Sequence, residues 1–169
     1  MSTSIPYDPE KAALLVIDMQ TQHGYMNSEF DGGALAQWWK DKDKMIMRGS
    51  EKWKILNELD SIVTRSLVSI GTLDFIIQSK IRYNAFYKTE LNSFLNFLGI
   101  KTLIISGVKT NLCCETTARK AFDKNYDIVF IEDATATDTQ EMHEATLLNI
   151  GYGFGIVTTV KNTIEWLLR

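Results

Sequence analysis

The stretch from Lys101 to Phe122 constrains the fold more than any other part of this 169-residue chain. Its first part, KTLIIS, is an apolar run typical of a buried strand, and the later segment LCCETTARKAFDKN is typical of a helix with one apolar face. Cys113 and Cys114 fall where the strand has ended and the helix begins. A thiol at a helix N-terminus is a stronger acid than usual, because unpaired N–H groups and the helix dipole stabilise the thiolate. The pair is therefore either a nucleophile with its neighbour or two small buried hydrophobic residues, and position alone favours neither.

The composition is that of an ordinary globular protein, with 45% hydrophobic and 23% charged residues, so we expect one domain over residues 1–169. A net charge of −3 and a pI of about 5.4 argue against a nucleic acid or an anionic membrane as partner. We expect no membrane span and no signal peptide, because no apolar run is long enough and Met1–Glu10 lacks the signal pattern. Two adjacent cysteines cannot form an ordinary disulfide, which indicates a reducing, cytoplasmic setting.

Apolar runs alternate with helical patterns along the chain, which predicts an α/β domain with a mostly parallel sheet. The expected strands are Ala12–Asp18, Leu73–Gln78, Thr102–Ser106, Asp127–Glu132 and Phe154–Thr158. We expect the intervening helices to begin at side-chain caps, and the candidate caps are Thr89, Asp138 and Asn162.

Three of the expected strands end in, or are followed by, residues that can do chemistry, namely Asp18, Lys80 and Cys113. Each of them taken alone has a commoner role, as a turn or capping carboxylate, a solvated lysine or a packing residue. The carboxyl ends of parallel strands lie at one edge of a sheet, where ligands bind in open α/β folds. This convergence favours a shared site over three unrelated roles.

The motifs around these residues resemble those of the isochorismatase-like cysteine hydrolases, and most closely the nicotinamidase-like eukaryotic members. The motifs are LLVIDMQ at Leu14–Gln20, SKIRYNAFYKTEL at Ser79–Leu91, GVKTNLCCETTAR at Gly107–Arg119 and EDATATDTQEMHEATLLNIGYGFG at Glu132–Gly155. The resemblance extends from about Ala12 to Thr159. It implies a three-layer α-β-α sandwich around a mostly parallel, Rossmann-like sheet.

The resemblance implies a catalytic triad in which Cys113 is the nucleophile and Asp18 and Lys80 are its partners. Asp18 would take the thiol proton and return it to a leaving amine, while Lys80 would favour both the thiolate and the carboxylate. Cys114 returns to the role of a packing residue.

The same resemblance implies an oxyanion hole made by the backbone N–H groups of Lys109 and Cys113. It also implies a cis peptide bond between Val108 and Lys109. No cofactor is implied.

The chain departs from the family pattern at Gln20, which Thr21 follows at once although relatives have a helix and a second strand there. Either one α–β unit is missing after Gln20 or the numbering skips residues. A missing strand should leave a gap in the sheet or force Leu73–Gln78 to pair with Ala12–Asp18. Either outcome would displace Lys80 from Asp18.

A metal site is not expected, because metal-binding nicotinamidases use D-x-H where this chain has Thr21-Gln22-His23. The other histidine, His143, is expected in a helix near Asp133 or the sheet edge. His23 is instead a candidate for the substrate pocket, together with four aromatic residues: Trp38, Trp39, Tyr83 and Phe86.

The leading functional hypothesis is a cysteine hydrolase that cleaves an amide or carbamoyl C–N bond of a small molecule through a thioester. The alternatives are an isochorismatase-type vinyl-ether hydrolase, and a catalytically silent family member that acts as a binding protein. The resemblance also implies a homo-oligomer, either a dimer or a tetramer.

Overall fold

The structure is a computed structural model that describes residues 4–20, 25–27, 38, 45–47, 50–51, 54–61 and 75–169. The chain divides into two compact units. The first contains Met1–Asp18 and Tyr83–Arg169, and the second contains Met19–Arg82.

The first unit is built on a parallel sheet of four strands in the order β1-β4-β5-β6. The strands are β1 (Ala12–Ile17), β4 (Thr102–Val108), β5 (Asp127–Ala136) and β6 (Ile156–Thr158). Central strands of a parallel sheet are covered on both faces, so their sequences are almost uniformly apolar. The parallel sheet predicted from the apolar runs is confirmed, as are four of its five expected strands.

Helices connect and flank these strands. They are α1 (Leu91–Phe97), α2 (Glu115–Phe122), α3 (Gln140–Gly153) and α4 (Val160–Leu167). A short 3-10 helix at Pro9–Lys11 precedes β1. Short crossovers through α2 and α3 are what parallel neighbours in a sheet require.

The helix caps differ from those expected from the sequence. Thr139 caps α3 by accepting a hydrogen bond from the Met142 N–H at 3.3 Å, so the expected cap at Asp138 is wrong by one residue. Thr159 caps α4, whereas Asn162 lies inside its first turn. A capping side chain must belong to an extended residue just outside the helix, and both threonines have that conformation.

The third expected cap is also displaced. Helix α1 begins after Glu90, which makes no side-chain cap hydrogen bond. The Thr89 hydroxyl, one residue before Glu90, accepts a hydrogen bond from the Leu91 N–H at 3.4 Å and donates one to the Ala85 carbonyl.

One core cluster shows how β4, β5 and α4 pack. Ile104 on β4 and Val129 and Ile131 on β5 pack with Trp166 of α4 and with Ile5. The Trp166 indole nitrogen donates to the carbonyl of Tyr7 at 3.0 Å, so the buried polar atom of this ring is satisfied.

The second unit contains a parallel pair of short strands, β2 (Tyr25–Asn27) and β3 (Met45–Met47). Gln20 forms an isolated antiparallel bridge with Ile55, and residues 57–61 are helical.

The strand expected at Leu73–Gln78 is wrong over its described part, since Phe75–Ile77 have no regular structure and Gln78 begins a turn. An apolar run becomes a strand only where a neighbour supplies the ladder of hydrogen bonds, and the run itself does not encode that neighbour.

Thr21 follows Gln20 directly in the 169-residue sequence, and the loss of one α–β unit there stays a prediction. Thr21 itself lies outside the part of the chain that the structure describes. Among the described residues, no helix is both long and apolar enough to cross a membrane.

Candidate active site

The backbones of β1 and β4 lie in close contact near their carboxyl ends, at Gly107. These strands are parallel neighbours, and Ile17 pairs with Gly107. Gly107 has a φ of 112°, and a Cβ atom at this position would lie 2.1 Å from the carbonyl oxygen of Ile17. Only glycine fits this conformation and this approach. The chain therefore leaves β1 at Asp18 and β4 at Lys109 from neighbouring points on the same edge of the sheet.

Asp18, the first residue after β1, has a left-handed backbone with a φ of 51°. Non-glycine residues rarely adopt this conformation, and such residues cluster at functional sites. Its side chain is half-buried. Asp18 thus combines a carboxylate, an unusual backbone and a place at the ligand-binding edge of a parallel sheet.

A tight turn carries the two cysteines. The Val108–Lys109 peptide bond is cis, as the resemblance implies for this position. Residues Thr110–Cys114 then form a π-helical turn that leads directly into α2. The N–H groups of Leu112 and Cys114 both donate to the Lys109 carbonyl, at 3.2 and 3.1 Å. Short π-helical segments are frequent at functional sites.

The turn gives the two cysteines different surroundings. Cys114 is completely buried, with its Sγ 3.9 Å from the Ser106 carbonyl oxygen. Cys113 is only partly buried. A nucleophile must be reached by its substrate, and of the two thiols Cys113 is the one with exposed surface.

The segment that contains Tyr83 and Phe86 is docked on α2. The Thr117 hydroxyl accepts a hydrogen bond from the Ala85 N–H at 3.0 Å and donates one to the Tyr83 carbonyl at 3.2 Å. Phe86 is buried and stacks on Tyr126, with ring centroids 6.0 Å apart.

The other candidate pocket residues belong to the second unit. Trp38 is 79% exposed, whereas His23 and Trp39 lie outside the described residues.

Lys80 also belongs to the second unit, directly after the turn at Gln78 and Ser79. Its side chain is buried, which is rare for lysine unless the charge is compensated. The structure therefore brings the ends of β1 and β4 together within one unit, and the membership of Lys80 in a triad stays a prediction.

Sequence reasoning missed a set of contacts from the segment after β5 to residues 109–114, which we call the cysteine turn. Asp138 binds the Lys109 ammonium at 2.6 Å, and the Thr137 hydroxyl donates to the Asn111 side-chain oxygen at 2.6 Å. His143 places its Nδ1 atom 3.0 Å from the Thr110 hydroxyl.

The sequence predicts His143 in a helix near Asp133 or the sheet edge, and the second alternative agrees with the structure, because the His143 ring contacts the turn after β4. The Asp133 carboxylate accepts a hydrogen bond from the Val160 N–H at 2.8 Å. The order of the elements along the chain could have predicted the position of His143. Helix α3 follows β5, so its first turn starts from the carboxyl edge of the sheet, where the cysteine turn also lies.

One further network joins α2 to α3. The Glu115 carboxylate accepts two hydrogen bonds from Arg119, at 2.9 and 2.7 Å, and one from the Thr146 hydroxyl at 2.7 Å. The Arg119 guanidinium lies 4.2 Å from the ring centroid of Phe154.

No group of three or more His, Cys, Asp and Glu side chains with the geometry of a metal site occurs in the part of the chain that is described. His23, the histidine considered for such a site, is not in that part.

The chain matches the family model described as the isochorismatase domain over residues 41–162. It is 41% identical over 134 residues to Nicotinamidase 3 of Arabidopsis thaliana, a match that covers 79% of this chain and 62% of the relative. It is 29% identical over 206 residues to the ureidoacrylate amidohydrolase RutB of Agrobacterium fabrum, covering 94% of this chain and 90% of the relative.

That second alignment is longer than this 169-residue chain, so the relative contains residues that have no counterpart here. A missing segment is thus supported, while its place after Gln20 stays a prediction. The chain spans less than two thirds of the length of the Arabidopsis relative.

Among solved structures, a cysteine hydrolase from Pseudomonas syringae pv. phaseolicola superposes with a TM-score of 0.77 and 22% sequence identity. The match covers 97% of this chain and 95% of that structure, and it shows that the fold is shared. The domain match, the Arabidopsis relative and the parallel sheet lead to one conclusion: this chain belongs to the isochorismatase domain family.

Proposed function

We propose that this protein is a cysteine hydrolase that cleaves the C–N bond of a small amide or carbamoyl compound, in the manner of a nicotinamidase. The observation that carries the proposal is the contact of the β1 and β4 ends at Ile17 and Gly107. Asp18 follows the first strand end, and Cys113 lies on the turn that follows the second. A partly exposed thiol and a carboxylate that start from the same edge are the pair that acyl transfer through a thioester needs.

The proposed first half-reaction forms a thioester. Asp18 takes the proton of the Cys113 thiol, and the sulfur attacks the substrate carbonyl carbon. The carbonyl oxygen gains negative charge, which the backbone N–H groups of Lys109 and Cys113 stabilise. The C–N bond then breaks as Asp18 returns its proton to the leaving nitrogen.

The second half-reaction releases the acid. Asp18 takes a proton from water, the resulting hydroxide attacks the thioester carbon, and the carbon–sulfur bond breaks. The proton held by Asp18 then restores the Cys113 thiol. Lys80 is proposed to favour the ionised forms of both groups through its positive charge.

The substrate class rests on what the relatives are called. One is named a nicotinamidase and the other a ureidoacrylate amidohydrolase, and both names denote hydrolysis of a C–N bond beside a carbonyl group. The proposed pocket residues remain His23, Trp38, Trp39, Tyr83 and Phe86. A flat ring or a planar ureido group suits aromatic walls, because such walls bind planar groups by stacking.

Ammonia release from nicotinamide, carbamoyl amines and simple amides tests the proposal directly. We expect the wild-type chain to release ammonia from at least one of them and Cys113→Ala to release none. Cys114→Ala is the matched control, because that thiol is buried beside the nucleophile and is assigned to packing. Equal activity in the two variants would contradict the assignment of Cys113, and a wild-type chain inactive on every amide would favour a silent binding protein.

We also propose a homo-oligomeric, cytoplasmic protein with a small-molecule substrate. The oligomer rests on the family resemblance, and the cytoplasmic setting rests on two adjacent cysteines, which cannot form an ordinary disulfide with each other. Light scattering on a sizing column and fractionation of cells test these two proposals, and a monomer or a secreted protein would contradict them.

A further inference from the structure

Three successive residues of the cysteine turn are each bound by a side chain from one segment. Lys109, Thr110 and Asn111 contact Asp138, His143 and Thr137 respectively. We call the segment Thr137–His143 the β5–α3 clamp. In the proposed reaction, none of these residues transfers a proton or forms a covalent bond. Only the backbone N–H of Lys109 takes part, in the oxyanion hole.

The central contact of the clamp is the most buried one. The Thr110 side chain is completely buried, and its hydroxyl lies 3.0 Å from Nδ1 of His143. The hydroxyl can donate to Nδ1 or accept from it, so the contact is compatible with either tautomer of the ring. The Lys109–Asp138 contact is more open, since the Asp138 side chain is 60% exposed. Water can replace a partner at the open contact more readily than at the buried one.

The backbone of the cysteine turn couples the position of Thr110 to that of Cys113. Thr110 is the first residue of the π-helical turn, and Cys113 is the fourth. The Lys109 carbonyl holds the N–H groups of Leu112 and Cys114, on either side of Cys113. A shift of Lys109 or Thr110 therefore moves the backbone that carries the thiol. Displacement of a reacting group by about 1 Å can cost on the order of a hundredfold in rate.

We propose that the β5–α3 clamp positions the cysteine turn, and that His143 is a positioning residue which acts on Cys113 through Thr110. The catalytic part of this inference rests on the proposed function, whereas the effect on the thiol does not. His143 itself touches neither substrate nor sulfur in this assignment.

The experiment compares His143→Leu with Thr146→Val in the full chain. Thr146 is the control, because it lies on the same helix, is more buried than His143, and bonds the side chain of Glu115 in α2 at 2.7 Å instead of a residue of the cysteine turn. The readouts are kcat and KM measured separately, the rate at which iodoacetamide alkylates Cys113, and the melting temperature.

We expect His143→Leu to lower kcat roughly tenfold to a hundredfold with a smaller change in KM, and to slow alkylation. Thr146→Val should lower the melting temperature while leaving kcat and alkylation close to wild type. If the two variants lower the melting temperature but both leave kcat and alkylation unchanged, the inference is overturned.

If His143→Leu does not fold, two conservative variants test the inference in its place. Asparagine can place a polar atom near the position of Nδ1, whereas glutamine places its polar atoms further along the side chain. We therefore expect His143→Asn to retain more activity and faster alkylation than His143→Gln, and equal values would overturn the inference. If the wild-type chain hydrolyses no amide while alkylation still follows this order, the proposed function fails and the positioning role stands.

Discussion

At the scale of single residues, the absence of a side chain at Gly107 matters as much as any functional group. The φ of 112° at this position is outside the range that other residues adopt easily. The site of the missing Cβ is also within 3 Å of three backbone atoms of Ile17. Backbone atoms cannot rotate away as a flexible side chain can, so this position requires glycine if β1 and β4 are to end in contact.

Substitution of this glycine should be far more damaging than substitution of a glycine in open space. Gly99 has a φ of 68° and nothing within 4 Å of its missing Cβ, so Gly99→Ala should cost only about 1–2 kcal/mol of unfolding free energy. Gly107→Ala adds a backbone clash to the strain and should cost at least about 3 kcal/mol. Urea unfolding of both variants measures the difference, and equal losses would show that the strand ends separate easily.

Burial separates the two cysteines, although they are neighbours in the sequence. Cys114 packs under the turn with no exposed surface, while Cys113 retains some. The sequence pattern alone left an even choice between a nucleophile and a packing residue for this pair. The π-helical turn places the two cysteines in different environments, because one extra residue in a helical turn changes which side chain faces inward.

At the scale of elements, α2 does more than continue the cysteine turn. The buried Thr117 hydroxyl of α2 satisfies the Ala85 N–H and binds the Tyr83 carbonyl. One side chain therefore joins the helix after Cys113 to the segment that contains two proposed pocket residues.

Removal of this hydroxyl should destabilise the first unit. Thr117→Val keeps the shape of the side chain but leaves the buried Ala85 N–H without its partner, which should cost about 1–3 kcal/mol of unfolding free energy. Thr117→Ser retains the hydroxyl and should recover most of that loss. Chemical denaturation distinguishes the two variants, and equal stability would mean that another acceptor replaces Thr117.

The misassigned cap at Asp138 has a physical reason in a tertiary contact. Asp138 satisfies the local capping pattern, yet its carboxylate is bound to Lys109, and Thr139 caps α3 in its place. A charged partner 29 residues away in sequence is invisible to a local pattern. Local capping rules therefore located the start of this helix to within a residue but could not identify the side chain that caps it.

At the scale of the whole molecule, two tyrosines with raised pKa values should limit stability at alkaline pH. Burial raises the pKa of Tyr126, and burial together with the nearby Asp127 carboxylate raises the pKa of Tyr7. Both folded pKa values then exceed the unfolded value of about 10. Their contribution to stability is complete below pH 10 and is lost as the pH rises through the folded values.

We therefore expect the melting temperature to fall as the pH rises above about 10. Tyr126→Phe should make this fall less steep, because its ring has no proton to lose. Tyr152→Phe is the control, since Tyr152 is 94% exposed and should leave the slope unchanged. Identical slopes in all three proteins would show that ionisation of Tyr126 does not contribute.

The sequence by itself determined the fold class, the family and the order of the elements in the sheet-forming unit. Continuous apolar runs are typical of strands in a parallel sheet, and four of the five expected strands form, among them β1, β4 and β5. The motifs also singled out Asp18, Lys80 and Cys113, although their roles remain predictions.

Only the tertiary structure decided which strand ends touch, which cysteine is buried and which side chains hold the cysteine turn. These facts depend on contacts between residues far apart in the chain, such as Ile17 with Gly107 and Thr110 with His143. The predicted strand Leu73–Gln78 is wrong over its described residues 75–78 for the same reason, since a strand exists only where a neighbour bonds to it. Local periodicity reports what a segment can form, and packing and hydrogen bonding across the fold select what it does form.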